Sequence, residues 1–361
     1  MAEQPEKQTQ SFLKNPYLWL FLLVLAVVAI FFLKPKWEKQ QVPIHNENSA
    51  VKSADIVAPA TPLVLDKAAY DKKLLQIANL PTSTASSTKP RLWPAKAVYP
   101  NGGALLPFNR IVAYYGNLYS KNMGVLGEYP EYIMLDKLSS EVKKWQEADP
   151  STPVIPAIHY IAVVAQAGPG KDGMYRARMP DKEIDKALAL AQKVNGIVFL
   201  DVQIGLSNVQ AEVPLLEKYL KLPNVHLGID PEFAMHDGAR PGTKIGTLDG
   251  SDINFAAEYL SKIVKDNNLP PKILIVHRFT RPMLTSATSI HPLPEVQIVM
   301  NMDGFGGQPN KINTYKSFIY PEPVQFTGFK LFYHNDSARG PMLTPEQLLK
   351  LTPIPVYIQY Q

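Results

Sequence analysis

Cysteine is missing from all 361 residues. Its absence excludes disulfides, thiol nucleophiles and cysteine-ligated zinc or iron–sulfur centres, and it leaves the compartment open, because a cysteine-free chain suits either redox environment. Charge is sparse as well. Only 19% of residues are Asp, Glu, Lys or Arg, the net charge is +5, and the basic residues do not gather into a run, so no nucleic-acid partner is expected. Familiar catalytic motifs are also lacking. Gly168-Pro169-Gly170-Lys171 is followed by Asp172 and is no phosphate loop, no dinucleotide fingerprint or HExxH helix occurs, and Ser207, Ser286 and Ser337 stand outside any nucleophile elbow. No cofactor and no dedicated metal site are expected, although Asp201, Asp230, His277, Asp303 and His334 could ligate an oxygen-preferring ion if they converge.

What is present is a rhythm. Eight short apolar runs cover residues 110–117, 154–164, 196–205, 225–232, 272–280, 296–304, 327–336 and 355–361. Between them lie stretches of helical periodicity, which is the pattern of parallel strands buried on both faces and covered by helices. Eight such units predict an α/β fold of the (β/α)8 TIM-like kind over residues 108–361, with the working groups at the carboxyl ends of the strands. Helix ends are legible too. Pro180-Asp181 should open a helix running to about Lys193, Ser251-Asp252 one to about Asp266, and Thr344-Pro345-Glu346-Gln347 reads as a capping box with proline at the first helical position. The final strand is followed by no helix, so the N-terminal segment is expected to close the lower rim of the barrel.

Before the barrel the composition changes twice. Residues 17–33 are 17 uninterrupted apolar residues, bounded by Lys14 on one side and Lys34, Pro35 and Lys36 on the other. At about 1.5 Å per residue they reach the short end of a bilayer span, and Tyr17, Trp19 and Trp37 suit its interfaces. No small-residue cleavage site follows, so a single transmembrane anchor is expected rather than a removed signal peptide. Lys34, Lys36 and Lys39 outnumber Lys7 and Lys14 and point to a cytoplasmic barrel; the short tail 1–16 and the tether after the span point outward, and an extracytoplasmic barrel is expected. Residues 34–107 form a Pro/Ser/Thr-rich linker, interrupted near 66–80 by a short amphipathic helix carrying Tyr70, Leu74, Ile77 and Ala78 and ended by Pro81.

Alternation along each strand shows which polar groups share the barrel mouth. Asp201 and Gln203 lie on one face of the third run, Asp230 and Glu232 on one face of the fourth, and Asn301 and Asp303 on one face of the sixth. Glu232 is the expected proton donor, with Asp201, Asp230 or Asp303 as its anionic partner, because neighbouring carboxylates drive their pKa values apart and sugar hydrolysis needs one acid and one anion. Lys330, inward on the seventh run, should neutralise one of the aspartates. The expected substrate contacts are Tyr114, Tyr115, His159, Gln203, His277, Arg278, Asn301, Lys330, Tyr333, His334 and Gln359, with Tyr160, Phe279, Phe305, Tyr357 and Tyr360 as further flat faces for sugar rings. The loop 167–180 with Lys171, Arg176 and Arg178, and the loop 234–250 with His236, Arg240 and Lys244, could clamp an anionic sugar; solvated loop charge is the plainer reading. Each acid has its plainer reading as well, holding loop amides at the rim.

With Asp201 on the third strand and Asp230-Pro231-Glu232 on the fourth, residues 108–361 resemble the β/α-barrel glycoside hydrolases as a broad superfamily, and the whole chain resembles membrane-anchored bacterial envelope proteins carrying such a barrel. The resemblance implies an acid at the fourth strand and a glutamate at the seventh. Glu232 fits the first, whereas the seventh reads Phe332-Tyr333-His334-Asn335-Asp336 and offers no glutamate; a chitinase-like signature is met only by Asp230-x-Glu232. Three expectations follow, ranked in order: a hydrolase acting on an oligosaccharide or carbohydrate polymer, a glycan-binding barrel without activity, and a structural envelope protein. In each the bilayer is met through residues 17–33, and nothing in the sequence fixes an oligomeric state.

Overall fold

The computed structural model describes residues 63–80 and 91–361. The expected span at 17–33, and most of the linker before the helix, lie outside the described residues. Among the described residues no helix is long and apolar enough to cross a membrane.

All eight runs form strands. β1 (Arg110–Gly116), β2 (Val154–Ala165), β4 (Ile197–Val202), β5 (Val225–Ile229), β7 (Lys272–Arg278), β9 (Val296–Met302), β10 (Phe326–Leu331) and β11 (Tyr357–Tyr360) pair in parallel, and the β1–β2 pairing closes them into a barrel. Three smaller strands decorate it. β3 (Arg176–Arg178) turns back antiparallel on the end of β2, while β6 (Leu248–Asp249) and β8 (Leu284–Thr285) make a separate two-stranded ribbon. The strands read as continuous apolar runs because both faces are buried. Val112, Ile158, Val198, Leu200, Leu227, Leu274, Ile298 and Ile358 face outward into one core with the helices, while Ile111, Ala113, Ala157, Phe199, Ile275, Val299 and Tyr357 fill the barrel interior.

The helices start and stop largely where their caps dictate. α1 (Lys67–Ala78) begins behind Asp66, whose side chain accepts from Ala69 N, and stops at Asn79 in the left-handed conformation (φ 47°), ahead of the expected stop at Pro81. α2 (Glu131–Ala148) and α3 (Asp181–Lys193) lie over β1 and β2 and over β2 and β4. α4 (Gly250–Asn267) opens one turn position before the expected Ser251-Asp252, because Asp249 and Asp252 together form its capping box. The Thr344–Gln347 capping box is present, with helix Pro345–Leu348 behind it.

The lower end of the barrel is plugged from the N-terminal side. Tyr70 and Ile77 of α1 and Leu106 join the interior cluster of strand residues. Gln297 clasps the Leu106 backbone from both sides, accepting from its N–H at 3.0 Å and donating to its carbonyl at 2.6 Å. The Asn79 side chain donates to Leu351 O and the Ile77 carbonyl accepts from Ile354 N, which ties the helix to the approach of β11. The polar inward positions lie toward the other, carboxyl end.

Candidate active site

At the carboxyl end the inward positions turn polar. Asp201 (β4), Asp230 (after β5), Asp303 (after β9), His159 (β2), His277 (β7), Tyr115 (β1), Gln203, Asn301, Lys330 (β10) and Gln359 (β11) occupy one buried network. At its centre stands Asp201. Its Oδ2 accepts from the Tyr115 hydroxyl at 2.9 Å, and its Oδ1 lies 3.2 Å from His159 Nε2 and 3.4 Å from His277 Nε2. His277 reaches Asp303 through Nδ1 at 2.8 Å, and Lys330 closes on the two Asp303 oxygens at 3.0 and 3.2 Å while lying 3.9 Å from the centroid of the Tyr115 ring. Lys330 thus neutralises Asp303. Gln203 donates to Asp230 Oδ2 at 3.2 Å and to the Tyr115 oxygen at 3.3 Å, and Asp230 Oδ1 accepts from Glu232 N, which shapes the turn Pro231–Phe233.

Two strand glycines make room for this network. A Cβ at Gly228 would stand 2.3 Å from Asp201 Oδ1 and 2.5 Å from His159 Nε2, and one at Gly328 would stand 2.6 Å from Asn301 Oδ1. Gly228 sits level with Asp201 on one side and Ile275 on the other, and its missing side chain is the space that Asp201 and His159 occupy. Gly228→Ala should therefore cost about 1–3 kcal/mol of stability, read from urea unfolding, because the atoms it meets are fully buried and cannot swing away. A loss of under 0.5 kcal/mol, on the order of an ordinary surface change, would show that the pocket gives.

Burial and neighbouring charge divide the titrating groups. Against burial, His277 and His159 hold Asp201 below the carboxylate range, and Lys330 and His277 do the same for Asp303. Burial pushes Asp230 up to about 6, opposed by His277 and helped by Asp201 and Asp303. The Glu232 carboxyl is pushed up to about 8, first by burial and then by Asp230 and Asp303. His277, between two anions, rises against burial to about 10, while burial holds His159 down to about 4. Tyr115 is raised well above its ordinary value by burial and by Asp201, and so remains a donor.

Exposure separates Glu232 from the rest. Asp201, Asp230 and Asp303 are 0%, 2% and 6% exposed, whereas Glu232 is half-buried and makes no side-chain hydrogen bond or ion pair among the described residues. Phe233, Phe279 and Phe305 are the partly open rings on the same turns.

Some expected contacts lie elsewhere. Tyr114 faces outward, one residue out of phase with Tyr115, and its hydroxyl meets that of Tyr333 at 2.8 Å; Tyr333 in turn donates to Glu141 on α2 and stacks on Tyr360. Arg278 also points outward, to the carbonyls of Thr280 and Arg281 and to Glu322 at 2.6 Å. His334 lies past the end of β10, exposed, with Glu128 at 2.9 Å. Strand alternation excludes the first three, since Tyr115, His277 and Lys330 already claim the inward phase on their strands. The proposed anion clamp is also spoken for: Arg176 and Arg178 both close on Glu212, and Lys244 pairs with Asp237. Tyr357, expected only as a flat face, is instead a hydrogen-bonding member of the site. Its hydroxyl meets His159 Nδ1 at 2.5 Å and accepts from Gln359 Nε2 at 3.0 Å, and its inward phase two residues before Gln359 was the available signal.

No family model matches the chain, and no curated protein does. Among solved structures the chain is similar to a cellulase, Cel5C_n, at 14% identity and a TM-score of 0.35 over 61% of this chain and 65% of that one. It is also similar to a ruminal GH26 endo-beta-1,4-mannanase, at 11% identity and a TM-score of 0.27 over 70% of this chain and 58% of that one. The chain thus spans less than two-thirds of the length of either structure.

Proposed function

We propose that the barrel is a glycoside hydrolase that cleaves an oligosaccharide or carbohydrate polymer by carboxylate acid/base chemistry, with Glu232 as the proton donor. One arrangement carries the reading: a half-buried carboxyl without a side-chain partner among the described residues, just past the end of its strand, pushed up to about 8 by burial and by two neighbouring aspartates, beside carboxylates held below their ordinary range. That division is what protonation of a leaving oxygen and stabilisation of a cationic sugar require. The partly open rings of Phe233, Phe279 and Phe305 offer apolar faces to the C–H side of a sugar. The test is release of reducing ends from cell-envelope and plant polysaccharides by the full-length protein and its Glu232→Gln variant. Release by wild type alone supports the reading, and equal release by both removes Glu232 from the mechanism.

A second reading, a glycan-binding barrel without turnover, is favoured by the pairing of Asp303 with Lys330 and His277 and by the near-complete burial of the three aspartates. Retention of polysaccharide by both proteins with release by neither decides for it. The apolar run 17–33 supports a membrane anchor, and we propose an extracytoplasmic barrel from the short tail before the run and the Pro/Ser/Thr-rich tether after it. Extraction of the full-length protein from membranes by alkaline carbonate, or protection of the barrel from protease added to intact cells, would overturn that placement.

A further inference from the structure

At the floor of the mouth three donor atoms from three strands face one another: His159 Nε2, Asp201 Oδ1 and His277 Nε2, all within 4.8 Å. The three residues are fully buried. Although the two nitrogens lie 3.2 and 3.4 Å from the oxygen, neither contact is aligned as a hydrogen bond, and all three atoms are left without a hydrogen-bond partner. Buried polar atoms normally find partners, so three orphans pointing at one spot require an explanation. Donors at about 2.0–2.1 Å from a tetrahedral or octahedral ion stand roughly 2.8–3.4 Å apart, and both nitrogen–oxygen distances, 3.2 and 3.4 Å, fall in that range.

The far side of each donor is built as well. His277 Nδ1 is held by Asp303 at 2.8 Å, His159 Nδ1 by the Tyr357 hydroxyl at 2.5 Å, and the other oxygen of Asp201 by the Tyr115 hydroxyl at 2.9 Å. With Nδ1–H donated outward, each histidine aims Nε2 inward; an ion bound there would displace the proton that Asp201 and Asp303 favour on His277, and the carboxylate behind that ring strengthens it as a donor. Phe199 stacks on the His159 ring at 5.2 Å and fixes its plane. We infer that His159, Asp201 and His277 form a binding site for one divalent first-row transition-metal ion at the base of the mouth. Two imidazoles and one carboxylate favour such an ion over magnesium or calcium, which prefer all-oxygen sets. Three protein donors leave further coordination positions for water or a substrate oxygen. The site goes beyond the acid/base reading and does not require it, since Glu232 contributes no donor.

The experiment is titration of chelator-treated full-length protein with Co2+, followed by visible absorption, and with Zn2+, followed by metal content after gel filtration. One ion per chain is expected, with Co2+ bands of nitrogen and oxygen coordination. His159→Gln and His277→Gln should each weaken binding by about 100-fold, and Asp303→Asn, which removes only an outer partner, by about 10–100-fold. Glu232→Gln should bind as wild type does, which separates this inference from the hydrolase reading. X-ray absorption of the wild-type Co2+ protein should show two imidazoles, a readout that holds even where a variant fails to fold. Binding of well under one equivalent, a metal shell without imidazole, or unchanged affinity in both folded histidine variants would overturn the site.

Discussion

Glu232→Gln should lower kcat by about 10²–10⁴-fold on any substrate the wild type turns over, the range a positioned general acid contributes. The loss should be smallest on substrates with good leaving groups, which need no proton, and KM should move little. Glutamine keeps the size and the half-buried position of Glu232 but cannot donate a proton. The wild-type pH profile follows from the same group. Activity should fall as pH rises through about 8, where Glu232 ionises, and this alkaline limb should be absent from the residual activity of the variant. The acid limb identifies the partner. Asp230 and Glu232 titrate as a pair, so a limb near pH 6 assigns the anionic role to Asp230, whereas full activity down to pH 4 assigns it to Asp303 or Asp201, which Lys330 and the two histidines hold ionised. A profile flat from pH 6 to 9 would remove both from the chemistry.

The same carboxyl carries a stability signature. Its folded pKa lies above its unfolded value of about 4.3, so the folded chain holds a proton that the unfolded chain has released, and stability declines as pH rises from about 4.3 through 8. The variant has no such proton to lose. Its Tm should exceed that of wild type at pH 8 and match it at pH 4, which is the trade expected where a functional group is kept in an unfavourable setting.

Eight strands were legible because a strand buried on both faces has no polar alternation to break the apolar run, and every one of the runs is such a strand. Phase within each run then brought Asp201, Asp230, Asp303, His159, His277 and Lys330 to one end of the barrel. Aromatic or charged character at a strand end does not override phase. Tyr114 and Tyr333 are outward residues whose hydroxyls belong to a cluster against α2, and Arg278 is bound by the residues just after its own strand. The lateral assembly was legible only in part: Lys330 was expected on one of three aspartates, without which one. Which inward residues touch depends on the stagger between strands and on the space left by Gly228, and neither is written in a single strand's pattern. The plug at the lower rim was legible from the missing final helix, but not its residues beyond the helix: Leu106 is an isolated apolar residue that acquires a core only from the barrel it closes.

Glu212→Gln should cost about 3–5 kcal/mol of folding stability at pH 7, although the residue touches no part of the candidate chemistry. Glu212 is fully buried and accepts from Arg176 Nε at 2.7 Å, from Arg178 through Nε at 2.7 Å and Nη2 at 3.1 Å, and from Ser207 Oγ at 2.5 Å. A neutral amide would leave the buried Arg176 guanidinium with only exposed Asp172, at 2.8 Å, as an anion. Against burial, Arg178, Ser207 and Arg176 hold the Glu212 carboxyl below its ordinary value. Its stabilisation is therefore present above the unfolded carboxylate pKa and is lost as pH falls through the folded one, so the gap between wild type and variant should narrow in urea unfolding at pH 3. A gap below about 1 kcal/mol at pH 7, the size of an exposed pair, would sink the assignment. The effect should also reach the mouth. Arg176 and Arg178 are the two ends of β3, which pairs with Val163, Val164 and Ala165 of β2, and Ala165 N donates to Gln203 Oε1 at 3.1 Å. Gln203 is the donor to Asp230 and to Tyr115, so freeing β3 loosens the amide that positions the acid beside Glu232. Proteolysis of the loop 166–175 should accelerate in the variant, and turnover per folded molecule should fall by less than in Glu232→Gln, as expected of a residue that positions rather than reacts.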